Sequence, residues 1–158
     1  MKRMLLITFL VFNLVIFAGS FSYSLGIELS GAILPFVGVS YNNESYNVGA
    51  TLGFVFGPDE KNPEQLDYIF APTIEAGYSL PYNFTIEANL KALVVVPYHF
   101  EQLYLMGGGI KYKIPINNQS FNLGVYGEFI LPLSAGKRAW EKGMGIIPVP
   151  FIKSEYEF

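Results

Sequence analysis

The sequence contains no cysteine, and charged residues make up only 15% of its 158 residues. Without cysteine there can be no disulfide framework, no thiolate metal site, no cysteine nucleophile and no lipid-anchored cysteine. A typical soluble domain has about 25% charged residues, so this chain has few side chains with which to cover a surface in water. Its length suits one domain and is too short for two well-formed cores.

The sequence also lacks an apolar run of about 20 residues, the length that a transmembrane helix needs. A shorter apolar stretch, Met4 to Phe17, follows Lys2 and Arg3 and precedes small residues. This order is typical of a cleaved secretory signal peptide; a membrane anchor is the alternative. We therefore predict a signal peptide over residues 1–20 and an exported domain over residues 21–158.

The charge balance argues against a polyanionic macromolecule as the main partner. Without Lys2 and Arg3, eight basic side chains remain against thirteen acidic ones, which gives a net charge of −5. Nucleic-acid binding domains are usually basic, so we expect no nucleic-acid partner.

The last fourteen residues alternate between two faces and end on an aromatic residue. Phe158, Tyr156 and Ile152 share one parity, whereas charged residues occupy the other. This stretch resembles the closing strand of bacterial outer-membrane β-barrels, in which such residues form the signal read by the insertion machinery. Ser154 departs from the pattern, because the family usually has an apolar residue there. The resemblance implies a transmembrane barrel whose partners are outer-membrane lipids and the insertion machinery.

Five further stretches alternate with a period of two, which indicates strands with one apolar and one polar face. With the closing strand, the predicted ranges are Tyr46–Gly57, Tyr68–Leu80, Phe84–Tyr98, Leu103–Ile116, Phe121–Ser134 and Gly145–Phe158. Short connections rich in turn residues alternate with longer ones, as expected for antiparallel neighbours.

The segment before Tyr46 could be one long strand or two. Gly31 and Pro35 are poor residues for a strand interior, so we predict two strands, over residues 23–31 and 34–42. The total is then eight, the smallest even number of strands in bacterial single-chain barrels. The predicted fold class is all-β, an eight-stranded antiparallel transmembrane β-barrel.

Charge placement suggests which face of the strands points inward, since alternation alone also fits a soluble lipocalin-like calyx. Every charged residue beyond the signal peptide lies in a connection or on the polar parity of a strand. That parity would make an unusually bare surface in water, but small residues and paired charges can fill a narrow barrel. We predict a luminal charge network formed by Glu28, Glu75, Glu87, Lys91, Lys111, Lys113, Glu128 and Lys153.

The sequence offers little catalytic chemistry. His99 is its only histidine, and no motif of a lipid-modifying enzyme accompanies it. The acidic residues of the connection over 58–67 lack the spacing of a calcium loop, and Gly107 to Gly109 suggest a bulge or kink in a strand rather than a nucleotide loop. We predict no catalytic residue, no cofactor and no metal. The basic, aromatic segment over 137–142 could contact lipopolysaccharide phosphates or an adhesion partner, or could be an ordinary solvated loop.

These observations favour a monomeric outer-membrane protein with a structural or surface-binding role and no catalysis. Two alternatives remain at this point. The first is a narrow channel or a carrier for small or hydrophobic solutes. The second is a lipid-modifying outer-membrane enzyme that would depend on His99.

Overall fold

A computed structural model describes residues 19–30, 33–58, 66–96 and 102–158 of the chain. The strands in these ranges are β1 (Ser20–Leu29), β2 (Ile33–Asn42), β3 (Tyr46–Pro58), β4 (Leu66–Ser79), β5 (Phe84–Val96), β6 (Leu103–Ile116), β7 (Gln119–Ile130) and β8 (Val149–Glu157). A 3₁₀ turn covers Pro81–Asn83, and a short helix, α1, covers Gly136–Glu141. The predicted signal peptide lies almost entirely outside the described residues.

The strands form a closed barrel in which each pairs antiparallel with the next along the chain. Closure comes from β1 and β8, which pair from Ser24 opposite Glu157 to Leu29 opposite Ile152. Backbone hydrogen bonds of 3.0 and 2.9 Å between Tyr23 and Phe158 extend this seam to the last residue. The predicted eight-stranded antiparallel barrel is confirmed, and Ser20–Leu29 and Ile33–Asn42 form two strands rather than one.

The ends of the last two predicted strands differ from the structure. β7 ends at Ile130 instead of Ser134, and β8 begins at Val149 instead of Gly145. Pro132 cannot donate to the ladder, and Ser134 has a positive φ of 50°, so the chain leaves the sheet there. Strand β7 also begins earlier than predicted, at Gln119, which shortens the preceding turn to two residues.

The prediction of a bulge at Gly107 to Gly109 is wrong. The register of β6 with both neighbouring strands runs through these residues without an inserted residue. A Cβ at Gly109 would overlap the Tyr126 ring, so glycine leaves room for that inward-facing side chain.

The two faces of the sheet are inverted relative to a soluble protein, in which large apolar residues are mostly buried. Apolar side chains such as Leu123, Val125 and Phe129 are exposed on the outside, whereas Glu87 and Lys91 are only 2% and 3% exposed inside. The barrel therefore has an apolar exterior and a charged interior. No helix in the described part of the chain has the length and apolar character needed to cross a membrane.

Aromatic side chains cluster near both ends of the barrel. We call the end with Ser20 and Phe158 the terminal rim and the other end the opposite rim. Near the terminal rim, rings contact one another in the pairs Phe21–Tyr41, Tyr41–Tyr46, Tyr23–Phe158 and Phe84–Tyr112. Near the opposite rim, Phe54 contacts Phe56, Tyr68 and Phe70. Two aromatic zones thus border the apolar exterior.

Candidate functional site

The interior charges come from β1 and from β4 through β8, because alternate residues of each strand point into the barrel. Each of the three deeply placed lysines, Lys91, Lys111 and Lys153, lies within 4 Å of two carboxylates. A lysine that bridges two acids offsets the cost of burying them, since an unpaired charge in such a place is strongly unfavourable.

The first group of charges is centred on Lys91 of β5. Its Nζ lies 2.5 Å from Oε1 of Glu28 and 2.9 Å from Oε1 of Glu128, and all three residues are buried. The same ammonium lies 4.4 Å from the centre of the Phe151 ring, a distance that allows a cation–π contact. This group links β1, β5, β7 and β8 across the barrel.

The second group is larger and contains two lysines. Lys111 contacts Glu87 at 2.5 Å and Glu155 at 3.1 Å. Lys153 contacts Glu75 at 2.6 Å and the same Glu155 at 3.4 Å. Because Glu155 is shared, the five side chains form one connected group that spans β4, β5, β6 and β8.

Aromatic rings pack between the two groups. Tyr126 and Phe151 are stacked with centres 4.8 Å apart and an angle of 9° between their planes. The Tyr126 hydroxyl donates to Glu87 at 2.5 Å, while Phe151 lies beneath Lys91. A third ring, Phe36, lies 4.9 Å from the Lys153 ammonium. These contacts fill the interior with side chains and leave the two charge groups connected through stacked rings.

Glu157 forms a third group, at the terminal rim. Its carboxylate accepts hydrogen bonds from Ser22 at 2.6 Å, Asn42 at 2.8 Å and Ser120 at 3.0 Å. Lys113 contacts it at 3.3 Å, but the Lys113 side chain is 47% exposed. Lys113, although predicted in the luminal network, therefore lies at its solvated edge and contacts none of the other predicted members.

Between the rim group and the second charge group lies a cavity of about 100 Å³. Its lining is mostly hydroxyl and amide side chains, together with Glu75, Lys111 and Glu155. Because a water molecule in the liquid occupies about 30 Å³, the space suits a few waters. The cavity extends to Asn42, Lys113 and Glu157 at the terminal rim, so it is a shallow polar vestibule.

The arrangement links strands through ion pairs and hydrogen bonds between their inward side chains. Among the residues that the structure covers, no cluster of three or more histidines and acids could hold a metal ion. His99 and most of the acidic connection, Asp59, Glu60 and Glu64, lie outside the described residues. The site is thus a buried electrostatic network with a small vestibule.

Several members of the network were not singled out from the sequence. Glu155 and Glu157 were placed on the polar parity without being assigned to the network, and Phe36, Tyr126 and Phe151 were not assigned to it at all. A signal for the aromatic members exists in the pattern, because Phe151 shares the parity of Lys153 and Glu155. That shared parity indicates an inward position for the Phe151 ring.

In comparisons with known proteins, the chain matches no family model, no curated protein and no solved structure.

Proposed function

We propose that this protein is an integral protein of the bacterial outer membrane with a structural or surface-binding role and no catalysis. The observation that carries the proposal is the inverted barrel, with apolar side chains outside and bridged charges inside. Hydrocarbon around the barrel explains this distribution, since a basic side chain facing mid-bilayer costs about 2 to 4 kcal/mol. Water around the same exterior would leave a continuous apolar surface without a cover.

Two further features support a membrane location. The aromatic zones at both rims resemble the girdles that mark the two membrane interfaces of such barrels. Closure of the sheet also satisfies the backbone groups of β1 and β8, which hydrocarbon could not do for an open edge. In the orientation usual for these proteins, the terminal rim faces the periplasm and the opposite rim faces the cell exterior.

A soluble calyx accounts less well for the interior. A calyx that carries a hydrophobic ligand needs an apolar cavity, and a ligand pocket usually measures about 300 to 1,000 Å³. The polar cavity here is about 100 Å³, and charged groups and stacked rings fill the space beside it. The interior thus favours a closed, structural barrel over a carrier of this type.

Electrophoresis of membrane fractions, with and without boiling, tests the proposal. We expect the protein in the outer-membrane fraction, resistant to extraction by alkaline carbonate, with a mobility that changes when the sample is boiled in detergent. Recovery of the protein in the soluble fraction, with the same mobility before and after boiling, would refute the membrane location.

A narrow channel is the second candidate, and the observation that favours it is the polar vestibule at the terminal rim. The packed rings of Tyr126 and Phe151, with Lys91 above the Phe151 ring, oppose it. Recording single-channel currents in planar bilayers separates the two. We expect no unitary conductance from the intact protein; steady ion current at modest voltage would support the channel instead.

A further inference from the structure

The segment between β7 and β8, residues 131–148, is folded rather than extended, and we call it the rim loop. It contains helix α1, and the backbone N–H of Met144 donates to Ala139 at 2.8 Å. The Trp140 indole N–H donates to the carbonyl of Ile130 at 2.5 Å, which fixes the loop to the end of β7. A Cβ at Gly145 would overlap the indole ring, so the ring packs directly on the backbone there.

The rim loop carries large apolar side chains that are exposed. Ile146 and Ile147 are 63% and 62% exposed, and Leu133, Trp140 and Met144 are exposed as well. Single exposed apolar residues are ordinary, but several within one short folded segment indicate a surface that is covered by something other than water.

The same loop carries basic residues. Lys137, Arg138 and Lys142 are exposed, and none of them forms an ion pair with another described residue. Three of the eight basic side chains beyond residue 20 thus lie in this loop, although the net charge of residues 21–158 is −5. Arg138 is the sole arginine among them, and the arginine guanidinium group is the side chain best suited to bind phosphate oxygens in pairs.

We infer that the rim loop lies in the headgroup region of the outer leaflet and that its basic residues bind the phosphates of an anionic lipid. The inference rests on the proposed function, because it requires the barrel to span the membrane. Apolar side chains, a tryptophan and cations on one short segment match the interfacial mode of membrane binding. A soluble anion without apolar groups would neutralise the cations but leave Ile146 and Ile147 in contact with water, whereas a lipid supplies both a phosphate and acyl chains.

The chain offers its own probe, since Trp140 is its only tryptophan. The protein is refolded into phosphatidylcholine vesicles with increasing mole fractions of lipid A in both leaflets, so that protein orientation does not matter. Trp140 emission and its quenching by acrylamide in the water phase are then measured. We expect lipid A to shift the emission to shorter wavelength and to reduce quenching, and high salt to weaken both effects.

A triple variant, Lys137→Gln with Arg138→Gln and Lys142→Gln, tests the role of charge. Each basic residue near an anionic surface strengthens binding several-fold, so the lipid A fraction that gives half of the change should rise by about tenfold or more. Lys113→Gln is the matched control, because it removes an exposed lysine at the other rim and should leave the Trp140 response unchanged.

The mobility change on boiling, measured in each preparation, shows independently whether the barrel has folded in the vesicles. A folded barrel whose Trp140 responds equally with and without lipid A would refute the inference and leave the proposed function intact. The inference would also be refuted if Trp140 of the triple variant responded to lipid A as it does in the original protein. It would be refuted as well if inorganic pyrophosphate, without lipid A, gave the same change in Trp140 emission. If the triple variant does not fold, the salt dependence of the unmodified protein decides the question.

Discussion

The three interior lysines each bridge two carboxylates, and this determines what a change at any of them does. Burying an ion pair is close to neutral in free energy, because lost hydration offsets the attraction between the charges. Removing one partner is different, since the remaining charges then face each other without hydration or neutralisation. The network therefore depends on the presence of each lysine more than on the strength of any single ion pair.

At the residue scale we predict that Lys91→Met destabilises the folded barrel by about 3 to 5 kcal/mol, because Glu28 and Glu128 lose their shared cation. Urea unfolding in lipid vesicles, followed by Trp140 fluorescence, measures the change. Lys113→Met is the control, and it should cost at most about 1 kcal/mol because its ion pair is solvated.

A rescue variant makes this prediction sharper. Adding Glu28→Gln and Glu128→Gln to Lys91→Met removes the unpaired carboxylates, so most of the lost stability should return. Two results would show that Lys91 acts through packing alone. One is an equal loss of stability in Lys91→Met and Lys113→Met. The other is no recovery of stability when Glu28→Gln and Glu128→Gln are added to Lys91→Met.

At the scale of the strand, the exterior is a continuous apolar band, and one outward residue can report on the solvent around it. Val125 lies in the middle of β7, is 63% exposed and pairs with Ile110 of β6 and Ile152 of β8. In water, an outward lysine at this position would be harmless. In hydrocarbon, it would be costly.

We predict that Val125→Lys destabilises the barrel in vesicles by about 2 to 4 kcal/mol, whereas Ile116→Lys, at the terminal rim, costs about 0 to 1 kcal/mol. Unfolding titrations of both variants in the same lipid measure the difference. If the two substitutions cost the same free energy, then Val125 does not lie deeper in a bilayer than Ile116 does.

The closing strand permits a separate test of the proposed insertion signal of Phe158, Tyr156 and Ile152. Phe158→Ala keeps both backbone hydrogen bonds to Tyr23, so refolding of the purified protein into detergent should be nearly unchanged. In cells, we expect assembly into the outer membrane, measured by the heat-dependent mobility shift, to fall several-fold. Phe21→Ala, which removes another exposed ring on the same rim, should not reduce assembly.

The strands could be predicted from the sequence because a period of two survives wherever one face differs chemically from the other. For β6 the predicted bounds, Leu103–Ile116, are those of the structure. The rim loop could not be predicted, because its apolar residues continue the alternation past Ile130 while its helix depends on contacts such as Trp140 with Ile130. Alternation in the sequence does not predict the structure of a segment whose path depends on tertiary contacts.

At the scale of the whole molecule, closure of the sheet brings together residues that are far apart in sequence. Parity places Glu28, Lys91 and Glu128 inside the barrel, but it cannot show that Lys91 lies between the other two. That arrangement depends on strand stagger, which the register of all eight pairs sets together. Parity therefore predicts which side chains point inward, but it does not predict the partner of each one.

Spin labels on the outer face of the barrel report whether hydrocarbon or water surrounds it. The chain has no cysteine, so a single introduced cysteine carries the only label. Leu123→Cys, Val125→Cys and Ile110→Cys place a nitroxide on the exterior, and Ser45→Cys places one in a turn at the terminal rim. In phospholipid vesicles, we expect the three exterior labels to relax with oxygen and to be shielded from a water-soluble nickel complex, with the reverse at position 45. If the nickel complex reaches the exterior labels as readily as the label at position 45, then hydrocarbon does not surround the apolar exterior.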